Sequence, residues 1–376
     1  MSENRKHPPE TAAGAAGRPD RRGRGLLKNI VFSLIVAAVA LAVILAVLEI
    51  GLRAAGWTRT FEIVERVEVG TPRTLRVRTL HANTVIHHVT KEFDVTYRSN
   101  SMGYFDREWK RDKDPGVPRI AFFGDSFTMG HGVGSAHAFP RLIERNLRDH
   151  RNRSVETMNF GVWGSGTLDE REYIEDAVAL GVDQVVVCFY INDIFDNVRY
   201  RNEERTGTAF GAGDSVQAEP ASSRQRTLIR FKEFLNAHSR AFAFVSERTK
   251  NLRDALGLVT YPLEGVFTGR SNHLLEETAG YLSEIAADLG ARGIPLTVVY
   301  LPAKVQISST HAPEGFDLDL PQRLLSEHIE NYRLIDLTDE FRGVDVNEFW
   351  FREGHYNERG HALVAGWLAE RLAVSE

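Results

Sequence analysis

Cysteine is nearly absent from this chain of 376 residues, and its scarcity excludes a disulfide framework. The single Cys188 lies in a strand pattern, which favours a buried inert thiol over a catalytic one. An excess of basic charge is also lacking. The formal net charge is -5 and the basic cluster is confined to the N-terminal tail, so we expect no binding of nucleic acid.

Polar residues are lacking from one stretch, Ile30 to Leu48, which is apolar except for Ser33 and has the length of a membrane-spanning helix. Basic residues precede it, whereas both signs of charge follow it. Residues 1–28 are therefore expected in the cytoplasm, and everything after about residue 50 outside it. A cleaved signal peptide is the alternative, although its apolar core is usually only about 7–15 residues long.

The remaining composition, 43% hydrophobic and 26% charged, is ordinary for a folded protein. The pattern between 58 and 97 alternates in β fashion, and from Arg119 onward strand and helix patterns alternate. We therefore predict an α/β fold, a three-layer α/β/α sandwich with a mostly parallel sheet. The predicted domains are a disordered cytoplasmic tail at 1–28, a transmembrane helix at 29–51, a β-rich stalk at 52–115, and the α/β domain at 116–376 with an insertion at 194–271.

The insertion is much longer than an ordinary connection between a strand and a helix. Its position at the functional edge of the sheet is suitable for a cap over the site. Its aromatic residues are also compatible with two helices packed on the domain, or with a surface that touches the membrane.

A serine follows the first strand of the α/β domain. The apolar run ending at Phe123 leads into Gly124, Asp125 and Ser126. Parallel sheets bind their ligands outside the carboxyl ends of their strands, so Ser126 lies at the expected chemical edge. The tripeptide alone is weak evidence, because these residue types are common in turns.

Three further loops supply the other groups that acyl transfer requires. Gly164 lies in a glycine-rich loop after a short strand, where a bare backbone N–H can approach a substrate oxygen. Asn192 ends a strongly apolar strand, and its amide can donate to an oxyanion. Glu353 and His355 precede a C-terminal helix that looks capped by Asn357, and they offer a carboxylate beside a general base.

Serine, glycine, asparagine and histidine in this order, each on a loop after a strand, resemble the SGNH hydrolases, also called GDSL-type esterases and lipases. The resemblance covers about residues 118–373, and the apolar run suggests a membrane-anchored bacterial member. It implies that Ser126 is the nucleophile and, through its own N–H, an oxyanion donor. The other implied roles are second donor for Gly164, third donor for Asn192 and base for His355.

One position departs from the pattern of the family. Most members place aspartate three residues before the histidine, where this chain has Arg352, and arginine cannot orient an imidazole in that way. A branch that includes alginate acetyltransferase-like proteins carries the acid two residues before the histidine, and Glu353 occupies that place. We assign Glu353 to the triad, with a Ser–His dyad as the alternative. His361 falls in a helical pattern and is predicted to be a packing or capping residue.

We predict an extracytoplasmic serine esterase that hydrolyses O-acyl esters, in particular O-acetyl esters on carbohydrate, through an acyl-serine intermediate. The substrate follows from location and from family analogy. One alternative is an O-acyltransferase that modifies envelope polysaccharide together with a multi-span membrane acyltransferase partner. Another is a catalytically silent glycan-binding module. No cofactor is expected, and because the other histidines show no metal-ligand spacing, no catalytic metal is expected either.

Overall fold

The computed structural model describes residues 21–57, 62–68, 70–90, 92–206, 231, 234–235, 238–255, 262–308, 314–327, 332–351 and 353–372. The chain divides into two compact units. The smaller unit consists of residues 1–58 and 231–249, and the larger one of residues 59–230 and 250–376. The candidate site residues all belong to the larger unit.

The helices and strands are numbered here in chain order over the described residues. The strands are β1 (Glu62–Glu68), β2 (Pro72–Thr74), β3 (Thr79–His81), β4 (Thr84–Val89), β5 (Asp94–Arg98), β6 (Arg119–Gly124), β7 (Glu156–Asn159), β8 (Gln184–Tyr190), β9 (Leu296–Leu301) and β10 (Arg333–Asp336). The helices are α1 (Arg21–Ala54), α2 (Ser126–Met129), α3 (Phe139–Arg151), α4 (Thr167–Ala179), α5 (Asp193–Thr206), α6 (Arg240–Ala255), α7 (Pro262–Phe267), α8 (Asn272–Ala291), α9 (Lys304–Ser308), α10 (Leu320–Glu327), α11 (Thr338–Phe341), α12 (Val346–Phe349) and α13 (Glu358–Arg371).

A five-stranded sheet with the order β10-β9-β8-β6-β7 forms the centre of the larger unit, and every pairing in it is parallel. Strand β6 lies between its successor β7 and the later strand β8. In register, Phe122 faces Asn159 on one side and Val186 on the other. The chain therefore reverses its direction of winding at β6, and such a reversal opens a crevice at the carboxyl ends of the strands.

The sheet is covered on both faces, because successive side chains of each strand point to opposite sides. Ala121 and Phe123 pack into one hydrophobic core with side chains from α4 and α8. Ile120 and Phe122 pack into the other, with side chains from α3 and α13. All six residues of β6 are buried, as expected for a central parallel strand. The predicted three-layer α/β/α fold is confirmed.

The segment predicted as a stalk forms small antiparallel sheets, one ordered β1-β4-β5 and one pairing β2 with β3. These strands belong to the same compact unit as the α/β domain, and the predicted boundary at 115 does not separate them. The reason is direct packing: Ile86 and Tyr97 form a buried cluster with Met129, which ends the helix that Ser126 begins. The Tyr97 hydroxyl also accepts a hydrogen bond from the Gly132 N–H at 2.7 Å.

The smaller unit contains α1, whose stretch Asn29–Ala54 includes an 18-residue window with a mean hydropathy of 3.2 and is long and apolar enough to cross a membrane. The helix begins at Arg21, so the predicted end of the disordered tail at 28 falls inside it, while residues 1–20 lie outside the described part. Of the predicted insertion, the first residues form α5 and the last form α6 and α7, and residues 207–230 lie outside the described part.

Candidate active site

Ser126 is the first residue of α2, immediately beyond the carboxyl end of β6. Asp125 caps this short helix, because its carboxylate accepts a hydrogen bond from the Phe127 N–H at 2.8 Å. Gly124 has φ +155°, and a Cβ there would lie 2.1 Å from the Thr128 Oγ1 atom. The sharp turn from strand to helix thus requires glycine, and it places the serine hydroxyl at the edge of the sheet.

The side chains of Ser126, His355 and Glu353 form one hydrogen-bonded row. The Ser126 Oγ atom lies 2.7 Å from His355 Nε2, and His355 Nδ1 lies 2.6 Å from Glu353 Oε2. A carboxylate only accepts hydrogen bonds, so the Nδ1 atom carries the proton and the Nε2 atom is left as an acceptor for the serine hydroxyl. This is the arrangement in which a histidine can remove a proton from serine.

A tight loop allows an acid two residues before the histidine to reach the imidazole. The Glu353 Oε1 atom also accepts a hydrogen bond from the His355 backbone N–H at 3.3 Å, so the carboxylate folds back over the loop. Gly354 between them has φ +117°, a conformation that favours glycine. The Glu353 side chain is only 7% exposed, and water therefore screens its charge weakly. Arg352 lies outside the described residues.

Asn192 lies next to the nucleophile, one hydrogen bond away through Asp125. Its Nδ2 atom donates to Asp125 Oδ2 at 3.0 Å and to Asp196 Oδ2 at 3.2 Å. Both amide hydrogens thus point at carboxylates, and the Oδ1 atom is buried without a partner among the described residues. To donate to a substrate oxyanion, Nδ2 must exchange one carboxylate for the substrate.

Gly164 occupies the loop after β7 with φ +60°. Its carbonyl oxygen accepts hydrogen bonds from two guanidinium groups, Arg78 at 2.6 Å and Arg199. These bonds hold the glycine loop against α4 and α5, since Arg78 also pairs with Asp169 at 2.6 Å. The hydrogen bonds of Gly164 go to the two arginines rather than to the other four candidate residues.

Several buried carboxyl groups lie behind the nucleophile. Burial raises the pKa of Asp125, and it raises the pKa of Glu170 and Asp193 well above their usual range. The pKa of Asp196 rises to about 7, mainly through burial, although the Arg199 guanidinium opposes the rise. A raised pKa favours the neutral form of each carboxyl group and so reduces the negative charge near a substrate oxyanion.

His131 and Trp163 join the site, although neither was predicted to belong to it. The His131 ring lies 4.3 Å from the His355 ring, and its Nδ1 atom accepts a hydrogen bond from Trp163 Nε1–H at 2.8 Å. Burial lowers the pKa of His131 to about 2, so the ring is neutral and its proton sits on Nε2. Both residues follow predicted strands, but their sequence separation gives no sign that they meet.

Among the described residues, one group could hold a metal ion: His131, Glu353 and His355, whose ligand atoms lie within 4.8 Å of one another. The unprotonated nitrogen of His131 already accepts the bond from Trp163, and the other two groups bond each other. A metal ion here would break these bonds and occupy the candidate base.

His361 is buried in α13 and takes no part in the row. Its Nδ1 atom accepts a hydrogen bond from the Phe139 N–H at 3.2 Å, and its ring stacks on the Phe139 ring. Burial lowers the pKa of His361 to about 3. The geometry is that of a packing and capping residue, since the imidazole satisfies a backbone donor near the start of α3.

The sequence was also compared with known proteins. A model of the GDSL-like lipase/acylhydrolase family matches residues 122–363, which include all five candidate residues. The chain belongs to this family. As a GDSL-like hydrolase it is a serine enzyme that acts on ester bonds, and the predicted SGNH membership is confirmed. No curated protein matches the chain.

The chain is also similar to solved structures of two esterases and of a lipase/acylhydrolase, at low sequence identity and low TM-score. The acetyl xylan esterase AlAXEase is 14% identical, covering 68% of this chain and 100% of its own, with a TM-score of 0.38. A lipase/acylhydrolase from Enterococcus faecalis is 14% identical, covering 69% and 100%, with a TM-score of 0.37. The acetylxylan esterase Axe2 from Geobacillus stearothermophilus is 15% identical, covering 67% and 93%, with a TM-score of 0.39.

Proposed function

We propose that this GDSL-like enzyme hydrolyses O-acetyl esters of a carbohydrate outside the cytoplasm, through an acyl intermediate on Ser126. The observation that carries the proposal is the unbroken row from the Ser126 Oγ atom through the imidazole of His355 to the carboxylate of Glu353, with both contacts shorter than 2.8 Å. This row favours catalysis over a silent glycan-binding role.

In the first half of the reaction His355 Nε2 takes the Ser126 hydroxyl proton, and the oxygen attacks the ester carbonyl carbon. The imidazole becomes positively charged, and the Glu353 carboxylate stabilises that charge. Collapse of the tetrahedral intermediate breaks the bond to the alcohol oxygen, which takes the proton from Nε2. In the second half water attacks the acyl-serine by the same route and releases the acid.

The negative oxygen of the tetrahedral intermediate requires hydrogen-bond donors. We assign the Ser126 N–H, the Gly164 N–H and the Asn192 amide to this role. Ser126 N–H stands at the start of α2, and the N-terminal amides of a helix are free to bind anions. The Asn192 amide already donates a hydrogen bond to Asp125, the residue before Ser126. Each such donor contributes roughly 3–4 kcal/mol in other hydrolases.

Two features support a carbohydrate ester as the substrate. Two partly exposed aromatic residues lie near His355: Tyr190 packs on Phe127, which contacts the His355 ring, and the Phe351 N–H donates to the His355 carbonyl. Flat apolar rings of this kind can pack against sugars. The basic residues before the apolar helix also favour a cytoplasmic N-terminus, which leaves the larger unit outside, where envelope glycans are found.

The test uses the full-length protein in detergent, with p-nitrophenyl acetate and with acetylated xylo-oligosaccharides as substrates. We expect Ser126→Ala to lower kcat at least about 10³-fold, because the acyl acceptor is lost. Ser326→Ala, an exposed serine far along the chain, is the matched control and should keep full activity. Mass spectrometry of wild-type protein quenched during turnover should find an acetyl group on the peptide containing Ser126.

Equal activity of Ser126→Ala and wild type would reject the nucleophile. Activity on the chromogenic ester without release of acetate from any glycan would reject the carbohydrate substrate while keeping the esterase. Transfer of the acetyl group to an added sugar in excess of hydrolysis would replace the proposal by an acyltransferase.

A further inference from the structure

The carboxyl-terminal end of α1 binds the segment 238–244 within the smaller unit. The Glu49 carboxylate accepts hydrogen bonds from the Ala241 N–H at 2.7 Å and from the Ser239 hydroxyl at 3.0 Å. These donors belong to the start of α6, so Glu49 caps that helix from outside it. Arg53, one turn later, donates to the His238 carbonyl at 3.1 Å.

A pair of aromatic rings extends this contact just beyond the end of α1 at Ala54. The ring of Trp57 packs edge-on against Phe244 at 5.4 Å, and the Arg248 guanidinium lies 5.3 Å from the centre of the same Phe244 ring. Glu49 and Arg53 are four residues apart and share one face of α1, and Trp57 follows three residues after the helix ends. Segment 238–248 therefore lies along one face of the last turns of α1.

The position of these contacts along α1 gives their depth in a membrane. A hydrocarbon core of about 30 Å takes about 20 helical residues. Counted from Ile30, the first apolar residue after the last basic one, about 20 residues end at Glu49. The residues that bind Glu49 and Arg53 are therefore at the boundary between hydrocarbon and headgroups on the outer side.

The same segment exposes large apolar side chains. Phe231 is 58% exposed, Phe234 is 56% exposed and Val245 is 44% exposed, and the two phenylalanines are three positions apart in the sequence. Apolar rings near cationic side chains at this depth are the composition of helices that lie in the membrane surface. The large exposed apolar side chains of α1 in the same unit end near the same depth, with Ile50, which is 68% exposed.

We propose that residues 231–249 form a membrane-surface element, in which Phe231 and Phe234 insert among lipid chains next to the headgroups while Glu49 holds the start of α6. The occupant of this apolar surface is the lipid bilayer, because the Phe234 ring stacks on His238, whose carbonyl binds Arg53 at the depth where α1 leaves the hydrocarbon. The inference rests on the membrane-spanning part of the proposed function.

The native chain makes a direct test simple, because its single cysteine, Cys188, is fully buried and leaves an introduced thiol as the site of labelling. Full-length Phe234→Cys is labelled with the fluorophore NBD and placed in vesicles of phosphatidylcholine and phosphatidylglycerol at 3:1. Lipids with a nitroxide at carbon 5 or carbon 12 then report depth. Ile44→Cys, in the middle of α1, and Ser326→Cys, exposed on α10, are the reference positions.

We expect the label at 234 to be quenched about two-fold or more by the carbon-5 nitroxide, less by the carbon-12 nitroxide, and hardly by aqueous iodide. The label at 326 should respond to iodide alone. Adding Glu49→Ala should reduce the lipid quenching at 234 by about half or more, with esterase activity unchanged as evidence of folding.

Quenching of the 234 label by iodide alone overturns the proposal. So does a blue-shifted label that no lipid nitroxide quenches, since Phe234 would then be covered by protein, either a second copy or the larger unit. A lack of effect of Glu49→Ala overturns the role of Glu49. If the label at 44 is not quenched by the carbon-12 nitroxide, α1 does not span the bilayer, and the proposed location fails separately.

Discussion

Replacing Glu353 by glutamine removes a negative charge from the imidazole of His355 and changes little else in size. The two Glu353 oxygens each face an N–H group, Oε2 the His355 ring and Oε1 the His355 backbone. A glutamine amide offers one oxygen and one NH₂ group. Either orientation therefore sets a donor against a donor, unless the imidazole moves its proton to Nε2, where it can no longer accept from Ser126.

The size of the effect follows from the 2.6 Å contact between His355 Nδ1 and Glu353 Oε2. Unit charges at this separation interact by about 6 kcal/mol at an effective dielectric constant of 20. The imidazole is charged in the transition state and neutral in the free enzyme, so most of this energy lowers the barrier. Allowing for hydrogen bonds that glutamine keeps, we expect a loss of about 3–5 kcal/mol, or roughly 10²–10⁴-fold in kcat.

The assay is steady-state hydrolysis of p-nitrophenyl acetate by full-length Glu353→Gln, with thermal unfolding measured on the same sample. Glu348→Gln is the matched control, because the Glu348 side chain is 48% exposed and pairs with Arg359 at the surface. We expect the control to stay within about two-fold of wild type. Wild-type kcat in a normally folded Glu353→Gln protein would refute the charge argument and leave a Ser126–His355 dyad.

Three further predictions concern packing and pH. Gly161→Ala should unfold at a lower temperature than Gly164→Ala and lose more activity, because a Cβ at 161 would lie 2.3 Å from the Met129 backbone nitrogen in α2. A Cβ at 164 meets only the flexible end of Arg199 at 3.1 Å and adds about 1 kcal/mol of strain from the positive φ. The reverse order of melting temperatures would contradict this reasoning. His361→Gln should lose about 1–3 kcal/mol of stability, because the buried Phe139 N–H loses the His361 nitrogen that accepts its hydrogen bond, yet kcat should be unchanged. A loss of kcat without a loss of stability would instead identify His361 as the base. Asp196 binds a proton in the folded state between its unfolded pKa of about 4 and its folded pKa of about 7, so its contribution to stability is complete below pH 4 and is lost progressively as pH rises to 7. Asp196→Asn should therefore remove a fall of up to roughly 3 kcal/mol in the free energy of unfolding between pH 5 and pH 7, measured by denaturant unfolding at each pH, and an unchanged profile would contradict the raised pKa.

Much of the α/β domain was predictable because its strands are apolar runs with clear ends. Strand β6 begins at Arg119, where the predicted alternation of strands and helices begins, and β8 is the strongly apolar strand predicted before Asn192. Short helices such as α2 were not predicted. Four residues are too few to show a helical period, and the turn that starts α2 is set by the φ of Gly124 and the cap from Asp125.

The candidate site was predictable in its residue types and not in its surroundings. Each candidate follows a strand, and in a parallel sheet all such positions share one edge. The aromatic residues that pack around His131, next to His355, were not predictable. Phe93 and Tyr97 come from one short stretch at β5 and His131 from the loop after α2, and Phe93 and His131 meet with ring centres 5.3 Å apart. The spacing of aromatic residues along a sequence does not predict which rings will pack together.

By itself the sequence determined the layers of the fold and the apolar helix near the N-terminus, and it singled out the candidate serine, histidine and acid. These follow from local patterns, since burial of one face imposes a period on each strand and helix. Only the tertiary structure decided that Ser126 and His355, separated by 229 residues, lie 2.7 Å apart, and that Glu353 turns towards the ring rather than to solvent. A distance between remote residues depends on the order of the strands and on the packing of the loops between them, and no local pattern contains either.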